Sequence, residues 1–281
     1  MNPSKIIGVD MGGTKIHAGL VAGDKLVAEN TMDTLAHEAE QVVVNRVIET
    51  IEKVFEPGCE GIGIGVPSLV DAKRGIAYDV TFIPSWKEVH LKEILEKHFK
   101  VPVFVNNDSN CFALGEKFFG KGRNFSNFLA VTVGTGLGSG VIIENKLYGG
   151  VNTGAGEVGT IAYKNGTIED YCASGFFKIH GTTGEEAYKA ATNGDKKALE
   201  IFNEYGKNLS DAAKIILYTY DPELIILGGS ISNAFGFFID ALWKGLQDFA
   251  FPVVLKSLKI EKSELKNSAI LGAAGLVYNY R

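Results

Sequence analysis

The sequence predicts an α/β fold built from two related halves, and three stretches carry that expectation. Residues 5–20, KIIGVDMGGTKIHAGL, are an apolar run carrying Asp10 at its end, a glycine pair at Gly12 and Gly13, and a second alternating run. Residues 128–143, FLAVTVGTGLGSGVII, repeat that design around Gly134, Gly136, Gly138 and Gly140. Between them, VPVFV at 101–105 delivers Asn106, Asn107 and Asp108 to the start of a helical pattern. Runs rich in β-branched residues and bounded by glycine read as strand, turn, strand. Self-similarity of this kind suggests a repeated architecture.

Taken in order, strands are expected at 5–10, 15–21 and 25–31. Gly12 and Gly13 can take backbone angles closed to other residues, and their bare amides with the Thr14 hydroxyl suit a phosphate. Asp10 beside them offers the hard oxygen that magnesium prefers; a tight hairpin with a surface aspartate is the plainer alternative. Residues 36–55 set Ala39, Val42, Val43, Val47, Ile51 and Val54 at helical spacing. GIGIGVP at 61–67 reads as a buried strand ending at Pro67, followed by a loop over 68–87 and a helix over 88–98. After the strand at 101–105, residues 109–119 read as a helix, and a strand feeding a helix is where open α/β sheets place their ligand groups. Asp108 can take a proton from a hydroxyl that attacks phosphorus or cap the helix, and the two roles are compatible. Asn107 can orient a substrate as both donor and acceptor.

The second half opens with the turn GTGLGSG. Its alternating glycines are not the Gly-x-Gly-x-x-Gly of a dinucleotide fold, and an apolar run rather than a helix follows. A phosphate-binding hairpin is the better reading, and no P-loop occurs. Glu157 lies in the polar stretch GAGEVGT, where a plain surface carboxylate is the simple alternative. A helix is expected over 195–219, with Ala198, Phe202, Leu209, Ala212, Ala213, Ile216 and Leu217 inward. A strand at 222–229 ends in Gly228 and Gly229; a helix at 233–248, a strand at 252–257 and a helix at 268–279 follow. His17, His37, His90, His98 and His180 show no metal spacing, and Trp86 and Trp243 are expected to pack.

Composition excludes several classes. The 281 residues are 46% hydrophobic and 22% charged, as in an ordinary globular protein. A net charge of −5 without a basic cluster argues against nucleic acid as a partner. Cys59, Cys111 and Cys172 are odd in number and far apart, which implies a reducing compartment without a disulfide framework. No long apolar segment is present, so neither a signal peptide nor a membrane span is expected, and the cytoplasm is the expected location.

The motifs D-M-G-G-T-K (10–15), G-I-G-V-P (63–67), I-P-S-W-K (83–87), N-N-D-S-N with G-E after it (106–116), V-T-V-G-T-G-L-G-S-G (131–140), G-A-G-E-V-G (154–159) and I-I-L-G-G (225–229) occur in one order. Together they make a chain that resembles, over nearly its whole length, the ROK family of repressors, uncharacterised reading frames and sugar kinases. That family lies within the actin–hexokinase–Hsp70 superfamily. The resemblance implies a two-domain actin-like ATPase (ribonuclease H-like) fold with its active site in the interdomain cleft. The domains would be 1–112 with 268–281, and 113–267. It implies Mg–ATP as the phosphate source, held by Asp10, Gly12, Gly13, Thr14 and Lys15 and by the second turn with Thr135 and Gly136. Asp10 would face the magnesium, and Gly228 and Gly229 the adenosine. It implies Asp108 as the base on a sugar 6-hydroxyl, with Asn107, Glu157, Glu169, Pro67 and Ser68 as sugar-binding residues, and a homodimer as the family expectation.

Three departures stand out. The family pattern Glu-x-Gly-His becomes Glu157-Val158-Gly159-Thr160. The zinc loop shrinks to KNGTIEDYCASG, with Cys172 its one cysteine, so no zinc is expected where a structural site needs about four ligands. The glutamate after that loop falls on Glu169 if one residue is inserted before Ser174, and on Asp170 if not. The asparagine that often precedes the Leu-Pro-Gly-Trp segment falls on Phe82. The expected function is ATP-dependent phosphorylation of a small-molecule sugar at the 6-hydroxyl of a hexose, glucose first and an N-acetylhexosamine such as N-acetylglucosamine or N-acetylmannosamine second. A non-catalytic sugar sensor is the rival. A DNA-binding repressor is not expected, because the phosphate hairpin begins at residue 5.

Overall fold

The computed structural model describes residues 4–151 and 153–280, which divide into two compact units. Unit 1 holds the residues up to Asn124, Gly140–Ala155 and those from Glu264 onward; unit 2 holds Phe125–Ser139 and Gly156–Ser263.

Unit 1 begins with three antiparallel strands, β1 (Lys5–Met11), β2 (Lys15–Ala22) and β3 (Lys25–Asp33). Helix α1 (Glu40–Glu52) buries Val43, Val44, Val47 and Ile51, while Val42 faces solvent, off the predicted stripe. Strand β4 (Cys59–Val66) returns parallel to β1. The span expected as a loop over 68–87 instead contains β5 (Leu69–Asp71) and β6 (Ile76–Tyr78), joined by β7 (Glu88–Val89) in a small antiparallel sheet. Strands of two or three residues are too short for a period to register. What fixes them is burial of Val70, Ile76, Ala77, Val80, Ile83 and Trp86. Helix α2 (Leu91–Phe99), strand β8 (Val103–Asn107) and helix α3 (Asp108–Phe119) follow. The sheet runs β3-β2-β1-β4-β8.

The second sheet starts with β9 (Phe128–Val133), β10 (Leu137–Ile143) and β11 (Lys146–Leu147), the division between units falling inside β10. A hairpin of β12 (Ala162–Tyr163) and β13 (Gly166–Thr167) leads to three short helices, α4 (Ile168–Cys172), α5 (Ser174–Ile179) and α6 (Gly184–Thr192). The long α7 (Lys196–Tyr220) buries all seven of its predicted inward residues. Strand β14 (Leu224–Gly228) pairs parallel with β9. The helix expected at 233–248 is α8 (Phe235–Gly245) flanked by tighter 3-10 turns. The strand expected at 252–257 is a helical turn, α9 (Pro252–Leu255). Pro252 sits in its first turn, where a missing N–H costs nothing. The strand lies further on, at β15 (Lys259–Lys262), with Ile260 opposite Ile225. The sheet order, β11-β10-β9-β14-β15, repeats that of the first.

Helix α10 (Ser268–Tyr280) closes unit 1 by packing on β1, β4 and α3. Small residues make the close approach possible: a methyl on Gly8 would strike the Ile270 carbonyl, one on Gly63 the Ala273 carbonyl, and one on Gly272 the Cys111 carbonyl. Helix α3 packs along α10, and unit 1 holds both, with the chain up to Asn124. No described helix is long and apolar enough to cross a membrane.

Candidate functional site

Unit 1 gathers its candidate residues at one sheet edge. Asp10 pairs in register with Gly65 on β4, and Gly65 with Asn106 on β8. The bare Gly65, between β1 and β8, lets the start of α3 lie close, with Cys111 and the Asp108 backbone where its side chain would be. Asp10 is largely buried, and its carboxyl is pushed above the ordinary aspartate value, first by lost hydration and then by the charge of Asp108; His17 pulls the other way. A cation there would relieve both effects. One or two carboxylates with substrate phosphates are how magnesium is commonly held, so Asp10 fits that role.

The first turn is held from below. The Gly12 N–H donates to the Lys15 carbonyl at 2.9 Å, the Thr34 hydroxyl donates to the Gly12 carbonyl at 2.7 Å and the Thr34 N–H to the Thr14 carbonyl at 2.9 Å. These bonds leave the Gly13 and Thr14 amides without a protein acceptor among the described residues. Thr14 and Lys15 are exposed, and Phe82 lies against Gly13, where a methyl would collide with its ring.

At the start of α3 the cap is Asn107, not Asp108. The Asn107 Oδ1 accepts the Ser109 N–H at 2.8 Å and the Asn110 N–H at 3.4 Å, and its Nδ2 faces the Ser68 carbonyl at 3.5 Å. Ser68 follows Pro67 and donates its N–H to the Val66 carbonyl. Asp108 is therefore released from capping. Its Oδ1 accepts the Ser109 N–H at 2.7 Å, and its Oδ2 has no hydrogen bond among the described residues. Its tip reaches solvent while protein surrounds it, and the lost hydration raises its pKa against the opposing hydrogen bonds from Ser109. A carboxylate with raised proton affinity and one free oxygen is suited to general-base work.

In unit 2 the second turn is pinned by the helices after it. The Gly134 N–H donates to the Gly136 carbonyl at 3.0 Å, the Ser174 N–H to the Gly134 carbonyl at 2.9 Å and the Ser174 hydroxyl to the Thr135 carbonyl at 2.8 Å. The Leu137 N–H donates to Glu169 Oε2 at 2.7 Å, and Gly136 lies against the same carboxylate. Asp170 closes a capping box with Thr167, accepting its N–H at 2.8 Å and its hydroxyl at 2.9 Å. Of the two carboxylates, Asp170 is thus committed to the helix end and Glu169 to the turn. Glu157 is exposed ahead of a 3-10 turn, Val158–Thr160, whose Thr160 hydroxyl bonds back to the Glu157 carbonyl at 2.8 Å. Gly156 is tied down from two sides: its carbonyl accepts the Ser139 hydroxyl and its N–H donates to the Tyr220 hydroxyl.

Gly228 ends β14 opposite Thr132, and Gly229 turns the chain at a φ of 82°, pressed on the Val133 backbone. Next to Gly134 and Thr135 a cavity of about 590 Å³ opens, with Tyr188 and Lys189 of α6, Ser230, Asn233 and Lys262 in its lining. That volume falls in the range of small-ligand sites. Sequence reasoning missed this cavity, because its lining comes from five separate segments; only the glycines flagged it. Among the described residues no group of three or more His, Cys, Asp or Glu could hold a metal, and Cys172 is fully buried.

Two sheets of identical order, each opening with a glycine-turned hairpin, define an actin-like ATPase fold. A model of the ROK family matches residues 6–279, and the chain belongs to the ROK family. It is 32% identical to the glucokinase of Thermotoga maritima, covering 97% of each chain. It is 28% identical to the xylose repressor of Caldicellulosiruptor bescii, over 97% of this chain and 77% of that protein. Among solved structures, the ROK family glucokinase of Streptomyces griseus in complex with glucose and AMPPNP aligns with a TM-score of 0.77 at 27% identity, covering 97% of this chain and 99% of that one.

Proposed function

We propose that the chain is a sugar kinase that moves the γ-phosphoryl group of Mg–ATP to the 6-hydroxyl of a hexose, glucose first. The observation that carries this reading is Asp108, an uncapped carboxylate of raised proton affinity on the same sheet edge as Asp10 and the Gly12–Gly13 turn. In this reading the Asp108 Oδ2 takes the hydroxyl proton as that oxygen attacks phosphorus. Asn107, Glu157, Glu169, Pro67 and Ser68 orient the sugar. The amides of Gly13 and Thr14 and the turn at Thr135 and Gly136 bind phosphate oxygens, Lys15 adds positive charge, and the cavity beside Gly228 and Gly229 takes the nucleoside. Magnesium at Asp10 would neutralise phosphate charge. Positioning and charge stabilisation supply most of such a reaction. The glucokinase likenesses support the donor and the hexose.

A non-catalytic sugar sensor is the second reading. It is favoured by the likeness to a xylose repressor and by Thr160, which spends its hydroxyl on its own turn where the family pattern has histidine. An ADP-release assay with Mg–ATP against glucose, mannose, N-acetylglucosamine and N-acetylmannosamine separates the two. Sugar-dependent release with glucose supports the kinase, release with an acetylated sugar moves the substrate, and calorimetric sugar binding with no release supports the sensor.

A further inference from the structure

We propose that Lys164 is a positioning residue: clasped by two tyrosine rings and Asn208, its ammonium locks the β12–β13 hairpin and α4 onto α7 and so keeps the Glu169 carboxylate on the Gly136–Leu137 turn. The elements concerned are small, and α4 is tied to α7 at its far end by the Tyr205 hydroxyl, which donates to the Cys172 carbonyl at 2.9 Å. A two-residue-strand hairpin and a five-residue helix are not stable alone, and Ile161, Ala162, Lys164 and Asn165 are all exposed. Only Ile168 and Cys172 anchor α4 in the core.

Lys164 stands at the hairpin tip in the left-handed region, φ 52°. Its Nζ lies 5.0 Å from the centre of the Tyr163 ring and 4.8 Å from that of Tyr171, the two rings meeting edge to face at 5.4 Å. It also donates to Asn208 Oδ1 of α7 at 2.5 Å. The Tyr163 hydroxyl donates to Asp211 Oδ2 at 2.7 Å and approaches the same Asn208 oxygen at 3.3 Å. Asn208 turns its oxygen to these two donors although its buried Nδ2 then finds no partner among the described residues. The cation therefore dictates that orientation. Tyr171 lies on α4 two residues past Glu169, so the ring that grips the lysine and the carboxylate that accepts the Leu137 N–H are on one short, stiff unit. A cation set against aromatic faces is a recognised attraction. Here it occupies the stretch that replaces the family's zinc loop.

The test is hydrogen exchange followed by mass spectrometry on Lys164→Met, Lys164→Arg and the parent protein. In Lys164→Met, peptides covering 160–173 and the Leu137 amide should exchange faster by about tenfold, the rest of the chain staying unchanged, as expected of a local opening. Lys164→Arg, which keeps the charge, should restore protection. Unchanged exchange in Lys164→Met, or a rise of equal size over the whole chain, overturns the proposal. Should Lys164→Met fail to fold, Tyr171→Leu removes one ring, keeps the charge and is read in the same way. The kinetic consequence rests on the proposed function: with Glu169 a sugar ligand and the turn it holds a phosphate site, the KM for sugar should rise by about tenfold and the KM for Mg–ATP should rise with it. A parent protein with no sugar-dependent turnover would sink the kinase reading and leave the exchange result to judge Lys164.

Discussion

Asp108→Asn separates chemistry from structure at the proposed base. Asparagine keeps the shape and an oxygen to accept the Ser109 N–H, now 2.7 Å away, but it cannot take a proton. General-base catalysis is worth about 10²–10⁴-fold, or roughly 3–5 kcal/mol at 1.36 kcal/mol per decade. The variant should lose turnover by that factor while sugar and Mg–ATP bind as before. Stability should move the opposite way. The pKa of Asp108 is raised in the fold, so the folded state favours its protonated form. The stability this gives is present below the unfolded pKa of about 3.9 and is lost as pH rises through the folded value. At neutral pH the parent protein carries the unfavourable charge, and it also burdens Asp10. Asp108→Asn should therefore melt no lower than the parent at pH 7, and the advantage should vanish at acid pH. Turnover is read by coupled ADP release, binding by calorimetry and melting by circular dichroism. Turnover near that of the parent would remove Asp108 from the base role. A lower melting point at pH 7 would show the carboxylate to be a structural strut.

Three more substitutions probe separate parts. Gly229→Ala forces a side chain into a conformation, φ 82° and ψ 173°, that is essentially glycine-only, costing about 1–3 kcal/mol, and drives its Cβ into the Val133 backbone. Urea melts should show a loss of that size or more, with weaker nucleotide binding by calorimetry. Gly63→Ala sets a methyl against the Ala273 carbonyl under α10; overpacking of this sort costs about 1–3 kcal/mol, so a urea midpoint equal to the parent's would contradict the close helix-on-sheet packing. Phe82→Asn changes a residue that is 55% exposed, so stability should stay within about 0.5 kcal/mol. The ring covers Gly13, and the resemblance to the ROK pattern would put an asparagine at this position. The ratio of kcat/KM between glucose and mannose should shift on this change, and an unaltered ratio would remove Phe82 from the sugar-binding surface.

What could be read from the sequence follows how local its causes are. The hairpin at Gly12–Gly13, the strand into Asn107 and the helix α7 are each fixed by neighbours a few residues away, and all appear where expected. Residues 252–257 misled because FPVVLKSL is apolar and β-branched, while the parallel pairing of Ile260 with Ile225 is a contact 35 residues apart in sequence. The Lys164 clasp depends on Tyr163, Tyr171, Asn208 and Asp211 meeting across α7, which no spacing announces. Of Glu169 and Asp170, the helix start claims Asp170. Thr167 three residues ahead of Asp170 is a capping-box spacing, a signal local enough to be carried by the sequence.

The two sheets share one strand order, so their differences show where chemistry was added. Both open with a hairpin whose glycine turn is tied down from behind, at Gly12 by Thr34 and at Gly134 by Ser174. In the proposed function a polyphosphate would need the same thing from either turn, amides held in place. The next strands end differently. In the first sheet β4 runs into Pro67 and Ser68, and β8 into Asn107 and Asp108, which supply a cap and a carboxylate of raised proton affinity. In the second, β14 runs into Gly229 with its positive φ and β15 ends at Lys262, and both ends border the 590 Å³ cavity through Ser230 and Lys262 themselves. Ligand groups in open α/β sheets gather at the carboxyl ends of strands. In the proposed function, then, the first half puts its strand ends to acid–base chemistry and the second to a cavity, on one shared strand order.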